Sequence, residues 1–473
     1  MTQSPPQTQN QAKAPAPAPA EVVTLDALGP NGPYASRSHQ EIKDVAGNPA
    51  ARLGLVPTLF VTRAMSALRR ATPLPVDQRI AAIARAGELF ATATLGGLSV
   101  GAYEHRVSRV SGLPVPVVRE ATRTAAHRAA HVYDSVQYAR PRGSAGDWRD
   151  PLTRTGRAVW TRRGEVLAVH VSGVHPGAHS LWLEALALGY RVAVRPTRRE
   201  PYTAHRLVTA LWAAGFGTDH VVLLPTEQEP GEALLRGADL AYGGDDVIRK
   251  YAGESTVLSQ EPGRSKVLLT AGADWRDHLD MIVDSVAHHG GTGCVNATAV
   301  LVEGDPAPVA EALAARLAAL PSLPPEDEKA VLPVQARMPA RALERYVRSN
   351  AAGTRAWLGG DGFVDELGDG SAVVRPTVHQ LDSPTAPQAD LELPFPCVWV
   401  APWTPEAGLE ALRDTLVLTV VTEDEHLIDT LVNEPTIGNL YVGRHPTHWT
   451  DIGMPHDGYL SDFLMRTKTV IRG

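Results

Sequence analysis

The chain is poor in cysteine: among its 473 residues, only Cys294 and Cys397 carry a thiol. Two cysteines cannot build the disulfide framework of a small secreted domain, so each thiol serves either packing or chemistry, and a reducing, cytoplasmic setting is expected. Positive charge is also scarce, and the formal net charge is −7. Because a nucleic-acid binder needs a basic face, we expect no nucleic-acid partner and favour small molecules.

Long apolar runs are missing as well. No stretch reaches the roughly 18 to 20 uninterrupted apolar residues of a membrane span, so none is expected. The first twenty residues are rich in Pro, Ala and Gln and lack the apolar segment of a signal peptide. They are predicted to form a disordered tail. The remainder, in a chain that is 44% apolar, is long enough to bury at least two cores.

Apolar periodicity predicts a helical layer at about 50–136, where apolar residues return every three or four positions. Two β-rich runs, 157–161 and 164–171, flank Arg162 and Arg163 and indicate a hairpin that leads into a buried strand.

Strand and helix patterns then alternate in two series. Short connections between them predict βαβ crossovers and parallel sheets, with ligands beyond the carboxyl ends of the strands. The first series predicts a strand ending at Val171, a helix near 180–187, a strand at 191–195, a helix at 202–214 and a strand at 221–224. The second predicts a strand at 297–302, a helix at 308–317 and strands at 398–400 and 416–421.

Cys294 lies in GGTGCVNATAV, between an amphipathic segment (275–288) and a β-rich run. Small neighbours would let a carbonyl group approach the sulfur. Backbone N–H groups at such a junction would lower a thiol pKa and hold an oxyanion. A buried structural cysteine is the alternative.

Several short blocks follow one another along about 166–469. They are RVAVRPTRREP (191–201), AAGFGTDHVVLLP (213–225), LAYGGDDVI (240–248), SQEPGRSK (259–266), GTGCVNA (291–297), RPTV (375–378) and LELPFP (391–396). Together and in this order they resemble the aldehyde dehydrogenase superfamily. Glu261 precedes Cys294 by 33 positions and Glu392 follows it by 98, close to the spacing of that family. The GGD of the third block is closer to the acyl-CoA reductases of the bioluminescence type.

The resemblance implies roles for individual residues. Cys294 is then the nucleophile, Glu261 stands at the general-base position and Glu392 at that of a ribose-binding carboxylate. A solvated surface carboxylate is the alternative for each glutamate. The turn at the cofactor pyrophosphate is implied for Gly243, Gly244 and Asp245.

The sequence departs from the family pattern in two places. The oxyanion asparagine has no counterpart in HVSGVHPGAHSLW (170–182), where Ser172 or His175 comes nearest. Arg195 replaces the lysine on the adenosine side, and Arg198 stands where NAD-preferring members often carry a glutamate. An arginine fork suits a 2′-phosphate, so NADP is the expected cofactor, with NAD possible. Arginines that only solvate a turn are the alternative.

Three histidines, His170, His175 and His179, raise the question of a metal site. Pro176 and Gly177 separate the last two, and no carboxylate completes a zinc-protease pattern. No metal is expected.

These observations predict an α/β fold of the aldehyde dehydrogenase type, assembled as a homodimer or homotetramer. The expected reaction interconverts an aldehyde and an acyl thioester, mainly in the reductive direction. Oxidation of an aldehyde to the free acid is the alternative, and an inactive scaffold of the same fold is the second. The predicted organisation is a disordered tail (1–20), a Rossmann-like cofactor domain (21–145 and 164–266), a catalytic domain (267–445) and a small β oligomerisation element (146–163 and 446–473).

Overall fold

The computed structural model describes residues 21–260, 262–456 and 458–472. The predicted tail and Glu261 therefore lie outside the described residues. No helix within these ranges has the length and apolar character needed to cross a membrane.

The first part of the chain is a mixed layer rather than a purely helical one. The prediction of helix from about residue 50 is wrong at its start, because residues up to Leu55 pair with two other strands in the order β1-β5-β4. Alternate burial along 50–53 matches the period of a strand and not that of a helix. The elements are β1 (Val23–Leu25), β2 (Ala27–Gly29), β3 (Gly32–Tyr34), β4 (Ser38–Lys43), β5 (Pro49–Leu55), α1 (Thr58–Arg70), α2 (Val76–Thr92), α3 (Val100–Ser111), α4 (Val115–Ala130) and α5 (Val132–Gln137).

The first α/β unit is built on a seven-stranded sheet in the order β11-β10-β7-β8-β9-β2-β3. Strands β7 to β11 are parallel, and β2 and β3 extend the sheet antiparallel at one edge. The strand order reverses between β7 and β10, which makes their carboxyl ends a topological switch point. The elements from 157 to 259 are β6 (Arg157–Arg162), β7 (Val166–His170), α6 (Leu183–Ala187), β8 (Arg191–Arg195), α7 (Tyr202–Ala213), β9 (Val221–Leu223), α8 (Gln228–Gly237), β10 (Leu240–Gly243), α9 (Asp246–Arg249) and β11 (Val257–Ser259).

The second α/β unit has its own seven-stranded sheet, in the order β15-β18-β19-β13-β12-β20-β21. All pairs in it are parallel except β15 with β18. Strands β14, β17 and β16 form a separate small antiparallel sheet. The elements are β12 (Ser265–Leu269), α10 (Leu279–Ala287), β13 (Ala297–Glu303), α11 (Ala307–Ala318), β14 (Val334–Ala336), α12 (Arg337–Asn350), β15 (Arg355–Leu358), β16 (Val364–Glu366), β17 (Ser371–Val374), β18 (Thr377–Gln380), β19 (Cys397–Trp403), β20 (Thr415–Val421), α13 (Glu425–Val432) and β21 (Ile437–Val442).

Each large sheet separates two cores. In β7, Leu167 faces one apolar cluster and Ala168 the other. In β12, Val267 and Leu268 divide in the same way. This two-sided burial explains why the central strands are continuous apolar runs rather than alternating ones. The prediction of two α/β units is confirmed.

The predicted hairpin near residue 157 is wrong. Strand β6 pairs antiparallel with β22 (Met465–Val470), which follows α14 (Leu460–Leu464) at the end of the described chain. Both edges of β7 are already paired, with β8 on one side and β10 on the other. No edge of β7 is left for β6, so the neighbour in sequence joins the distant strand instead.

Candidate active site

The nucleophile segment begins with an unusual turn. His289, Gly290 and Gly291 have positive φ values of 51°, 73° and 66°, and together they reverse the chain between α10 and β13. A Cβ on Gly291 would lie 2.5 Å from the backbone nitrogen of Pro396. Glycine is therefore needed there, both for its backbone conformation and for this close approach. The turn brings the Cys294 loop into contact with the segment 391–396.

Cys294 is half-buried and its backbone is held by neighbouring side chains. The Ser265 hydroxyl donates a hydrogen bond to the Cys294 carbonyl oxygen (3.0 Å). Asn296 accepts from the N–H of Gly293 (2.8 Å) and donates to the carbonyl of His288 (3.0 Å). The other thiol, Cys397, is buried, and burial raises its pKa to about 12. Of the two thiols, only Cys294 is placed to react.

The block SQEPGRSK (259–266) contacts the Cys294 loop directly. A Cβ on Gly263 would overlap the carbonyl oxygen of Cys294. The Glu392 carboxylate accepts hydrogen bonds from the backbone N–H groups of Gly263 (2.6 Å) and Arg264 (3.2 Å). Three of the predicted blocks therefore meet at the backbone of the Cys294 loop. Glu261, two positions before Gly263, is outside the described residues.

A residue that the sequence analysis did not single out also contacts the nucleophile. The Nε2 atom of His456 lies 3.5 Å from the Sγ atom of Cys294. His456 belongs to the segment between β21 and α14. Asn439 of β21 donates its side-chain amide to the His456 carbonyl (2.8 Å) and to that of Leu416 (3.0 Å). The histidine is thus attached to the edge of the second sheet.

The two glycines predicted at the cofactor lie at the switch point. Gly243 ends β10 with a φ of 149°, and a Cβ there would overlap the carbonyl oxygen of His170 at the end of β7. A Cβ on Gly244 would lie 2.6 Å from the Ser172 hydroxyl oxygen. Ser172 thus contacts the glycine turn, and the described hydrogen bonds do not join it to Cys294.

Asp245, the third residue of that turn, is held by two partners. It forms an ion pair with Arg195 and lies 3.2 Å from the Nδ1 atom of His170. Burial raises the pKa of Asp245, but the His170 hydrogen bond and charge, the N–H of Ile248 and the charge of Arg195 outweigh it and lower the pKa to about 2. Arg195 also donates from Nε to the Thr226 hydroxyl (2.8 Å). The Arg195 guanidinium is thus largely engaged within the protein.

Arg198 differs from Arg195 in its exposure. Its side chain is 43% exposed, and its guanidinium donates to the Glu227 carboxylate (2.7 Å), which is 59% exposed. An exposed pair of this kind contributes little to stability and opens readily. Of the two arginines, Arg198 is the one accessible to a ligand.

The three histidines first considered as metal ligands are engaged separately. His170 contacts Asp245, His175 accepts from the N–H of Gly177 (3.1 Å), and His179 accepts from the indole of Trp182 (3.3 Å). Burial, with His289 and His288 nearby, lowers the pKa of His175 to about 3. The His175 ring is therefore neutral near pH 7.

The fold brings a different set of histidines together beside the nucleophile turn. His288 and His448 can offer a nitrogen within 4.8 Å of an Asp284 oxygen, and His289 lies next to Glu120. However, the rings of His288 and His448 stack at 3.5 Å with an interplanar angle of only 5°. Ring nitrogens bind metals in the plane of the ring, so two parallel stacked rings direct their lone pairs side by side instead of at one ion.

A cleft that is open to solvent adjoins His456. Arg128 of α4 and Glu184 of α6 contribute charged groups to its wall. Burial lowers the pKa of Arg128 and raises that of Glu184, which accepts a hydrogen bond from Ser135 (2.7 Å). The cleft therefore reaches the neighbour of the thiol, and its mostly apolar wall includes charged groups of both signs.

The sequence analysis missed His456, Asn296 and Asn439. For Asn296 a signal was present, because it lies two residues after the nucleophile in the same block. For His456 there was none, since 162 positions separate it from Cys294 and no motif surrounds it.

We next compared the chain with known protein structures and families. Among solved structures, the indole-3-acetaldehyde dehydrogenase AldA of P. syringae, described as a cysteine-to-alanine mutant in complex with NAD+ and IAA, superposes with a TM-score of 0.81 at 18% identity, covering 94% of this chain and 96% of that one. The aldehyde dehydrogenase KauB of Pseudomonas aeruginosa gives 0.80 at 17% identity, with 94% and 95% covered. A 3,6-anhydro-L-galactose dehydrogenase in complex with NAP gives 0.78 at 16%, with 94% and 99% covered.

At these low sequence identities, the superpositions show that the fold is shared. No curated protein sequence matches the chain. The model of the aldehyde dehydrogenase family matches residues 178–465, which is more than half of the chain. The chain therefore belongs to the aldehyde dehydrogenase family, whose members are oxidoreductases acting on aldehydes.

Proposed function

We propose that this protein interconverts an aldehyde and an acyl thioester through a covalent bond to Cys294, working mainly as a reductase. The observation that carries the proposal is the half-buried Cys294 thiol. The backbone carbonyl of Cys294 accepts a hydrogen bond from Ser265, and Gly263, in the connection between the two large sheets, lies against the same carbonyl. A thiol at such a junction can meet a substrate from one side and a cofactor from the other.

The chemistry follows from the sulfur. The Cys294 thiolate adds to the carbonyl carbon of a thioester, and loss of the leaving thiol leaves an acyl group on Cys294. A bound nicotinamide dinucleotide supplies the hydride that converts this acyl group to an aldehyde, and accepts it in the reverse direction. The clamp of Glu392 on the backbone of Gly263 keeps the loop in place during these steps.

The residues at the switch point fit a dinucleotide. A Cβ on Gly243 or Gly244 would clash with His170 or Ser172, so these positions carry no side chain that would keep a pyrophosphate away from the backbone of the turn. The Asp245 carboxylate would repel that group, but Arg195 compensates its charge. We propose NADP as the preferred cofactor, with Arg198 near the 2′-phosphate, and NAD as the second.

The cleft wall limits the substrate. Arg128 and Glu184 lie in a wall that is otherwise mostly apolar, with Val132, Leu181 and Met454 among its residues. An acyl chain with an apolar stem and a polar end fits this wall better than a purely alkyl chain, which would offer the two charged groups no polar partner.

Oxidation of an aldehyde to the free acid is the second candidate. Glu261 supports it, since hydrolysis of the acyl group requires a base that activates water. Two of the solved structures named above are described as aldehyde dehydrogenases. Oxidation to the acid and reduction of a thioester differ only in the acyl acceptor.

We also propose that the ribbon of β6 and β22 joins copies of the chain. A two-stranded sheet is marginally stable alone, and three large apolar side chains beside it are exposed: Trp148 (49%), Leu152 (52%) and Ile471 (72%). A second copy that covers this face would give the predicted dimer or tetramer.

A panel of short polar and long apolar aldehydes and acyl-CoAs, assayed with NADP(H) and NAD(H) by nicotinamide absorbance, tests the proposed function. Reduction of an acyl-CoA, with an acyl adduct on Cys294 by mass spectrometry, supports it. Turnover of aldehydes to free acids alone favours the second candidate. No turnover and no adduct with any member would indicate an inactive scaffold.

A further inference from the structure

The contact between His456 and Cys294 lies outside the roles assigned so far. The ring nitrogen Nε2 is 3.5 Å from Sγ, a distance at which a thiol and an imidazole share a proton. The two residues come from different parts of the second unit, the loop before β13 and the segment after β21. Tertiary packing alone creates this pair.

The backbone around His456 is fixed at two points. The Asn439 amide bridges the carbonyls of His456 and Leu416, which attaches the histidine to the parallel pair of β20 and β21. The Tyr459 hydroxyl donates to the Gly453 carbonyl (2.8 Å) and closes the segment on itself. These bonds hold the imidazole at the wall of the cleft and beside the thiol.

We infer that His456 is a catalytic acid–base residue for Cys294. In thioester cleavage it takes the thiol proton: the S–H bond breaks, and an N–H bond forms on Nε2. The resulting thiolate adds to the thioester carbonyl. When the bond to the leaving sulfur breaks, the imidazolium returns this proton to the leaving thiolate. His456 is then neutral again, Cys294 carries the acyl group, and a free thiol departs.

This inference rests on the proposed role of Cys294 as nucleophile and adds the group that activates it. Glu261, by contrast, is proposed to act on water. The inference thereby separates two bases, one for the thiol and one for hydrolysis. Titratable groups that share the cleft with His456 are Arg128, Glu184, Tyr242, Asp451 and Tyr459.

The test is the pH profile of alkylation of Cys294 by iodoacetamide in the full-length protein without substrate. Cys397 is buried, its pKa is raised, and it should not be alkylated. Cys294→Ala measures any alkylation at other residues. Because an ordinary thiol is only a few per cent ionised at pH 7, transfer of the Cys294 proton to His456 should make alkylation at pH 7 faster than that of an ordinary thiol. His456→Gln should slow alkylation at pH 7 by about tenfold and restore an ordinary profile.

One control makes the result decisive. His445→Gln changes an exposed histidine three residues after the end of β21 and should leave the profile as in wild type. An ordinary profile in wild type, or an unchanged one in His456→Gln, overturns the inference. If His456→Gln fails to fold, the alkylation profile of the wild-type protein alone tests the inference. Lack of turnover in wild type with a shifted profile would count against the proposed function and not against this pair.

Discussion

The Glu392 carboxylate lies 2.6 Å from the backbone nitrogen of Gly263, and the same oxygen accepts a second hydrogen bond from Arg264. Gly263 in turn lies against the carbonyl of Cys294. In this structure a carboxylate expected to bind a cofactor ribose is joined instead to the turn that supports the nucleophile. Arg264 has a positive φ of 48°, so the turn has a backbone conformation that such an anchor helps to hold.

We therefore predict that Glu392→Ala loosens this turn. Hydrogen bonds to a charged acceptor contribute about 1.5 to 3 kcal/mol, so the free energy of unfolding should fall by about 2 kcal/mol and acylation of Cys294 by roughly tenfold. Glu392→Gln keeps an acceptor oxygen and should be milder. Denaturant unfolding and single-turnover acylation measure both. A rise only in the KM for cofactor, with stability unchanged, would instead show that Glu392 acts through the ribose.

Glu261→Gln should separate the two proposed acyl acceptors. If Glu261 activates water, release of the free acid should slow by roughly 10² to 10⁴-fold, while reduction of a thioester with the same acyl chain suffers less because no water attacks. Cys294→Ala should abolish both reactions, since each passes through a bond to the sulfur. Glu254→Gln, at an exposed glutamate seven positions earlier, is the matched control. Equal and mild losses of activity in both assays would show that Glu261 is not the base that activates water.

Arg198 and Glu227 should set the cofactor preference together. Arg198→Glu replaces attraction by repulsion at a phosphate and should raise the KM for NADP by about tenfold or more, with NAD equal or better. Glu227→Gln frees Arg198 from its exposed partner and should shift preference towards NADP. Arg199→Glu alters the adjacent exposed arginine and serves as control. The same loss for both cofactors would mean that Arg198 has a structural role.

His179 should make the fold sensitive to acid. Burial lowers its pKa to about 4, from an ordinary value near 6.5. The unfolded chain therefore binds a proton that the folded chain excludes between these values. This contribution to stability is complete above pH 6.5 and is lost as the pH falls towards 4, by up to about 3 kcal/mol. Unfolding midpoints between pH 4 and 7 should fall less in His179→Gln than in wild type, whereas the exposed His426→Gln should follow wild type. Parallel curves for wild type and His179→Gln would contradict this.

Local patterns were enough to predict many elements. The run at 191–195 is a strand with the predicted bounds, and the helix predicted at 202–214 ends only one residue earlier, at Ala213. Amphipathic helices show in sequence because solvent exposure repeats with the helical period, and buried parallel strands show as short continuous apolar runs because both of their faces are covered. The glycines around Cys294 were visible for a similar reason, since a tight turn restricts residue type at each position.

The sequence by itself thus determined many of the strands and helices of the two α/β units, and which thiol is flanked by glycines. The tertiary structure decided what lies opposite each segment: β6 pairs with β22 because β7 has no free edge, and His456 meets Cys294 across 162 positions of the chain. It also decided that Asp245 engages Arg195 within the protein while Arg198 stays accessible. Pairing and side-chain contact depend on which edges and cavities the folded chain leaves open, and no single segment encodes them.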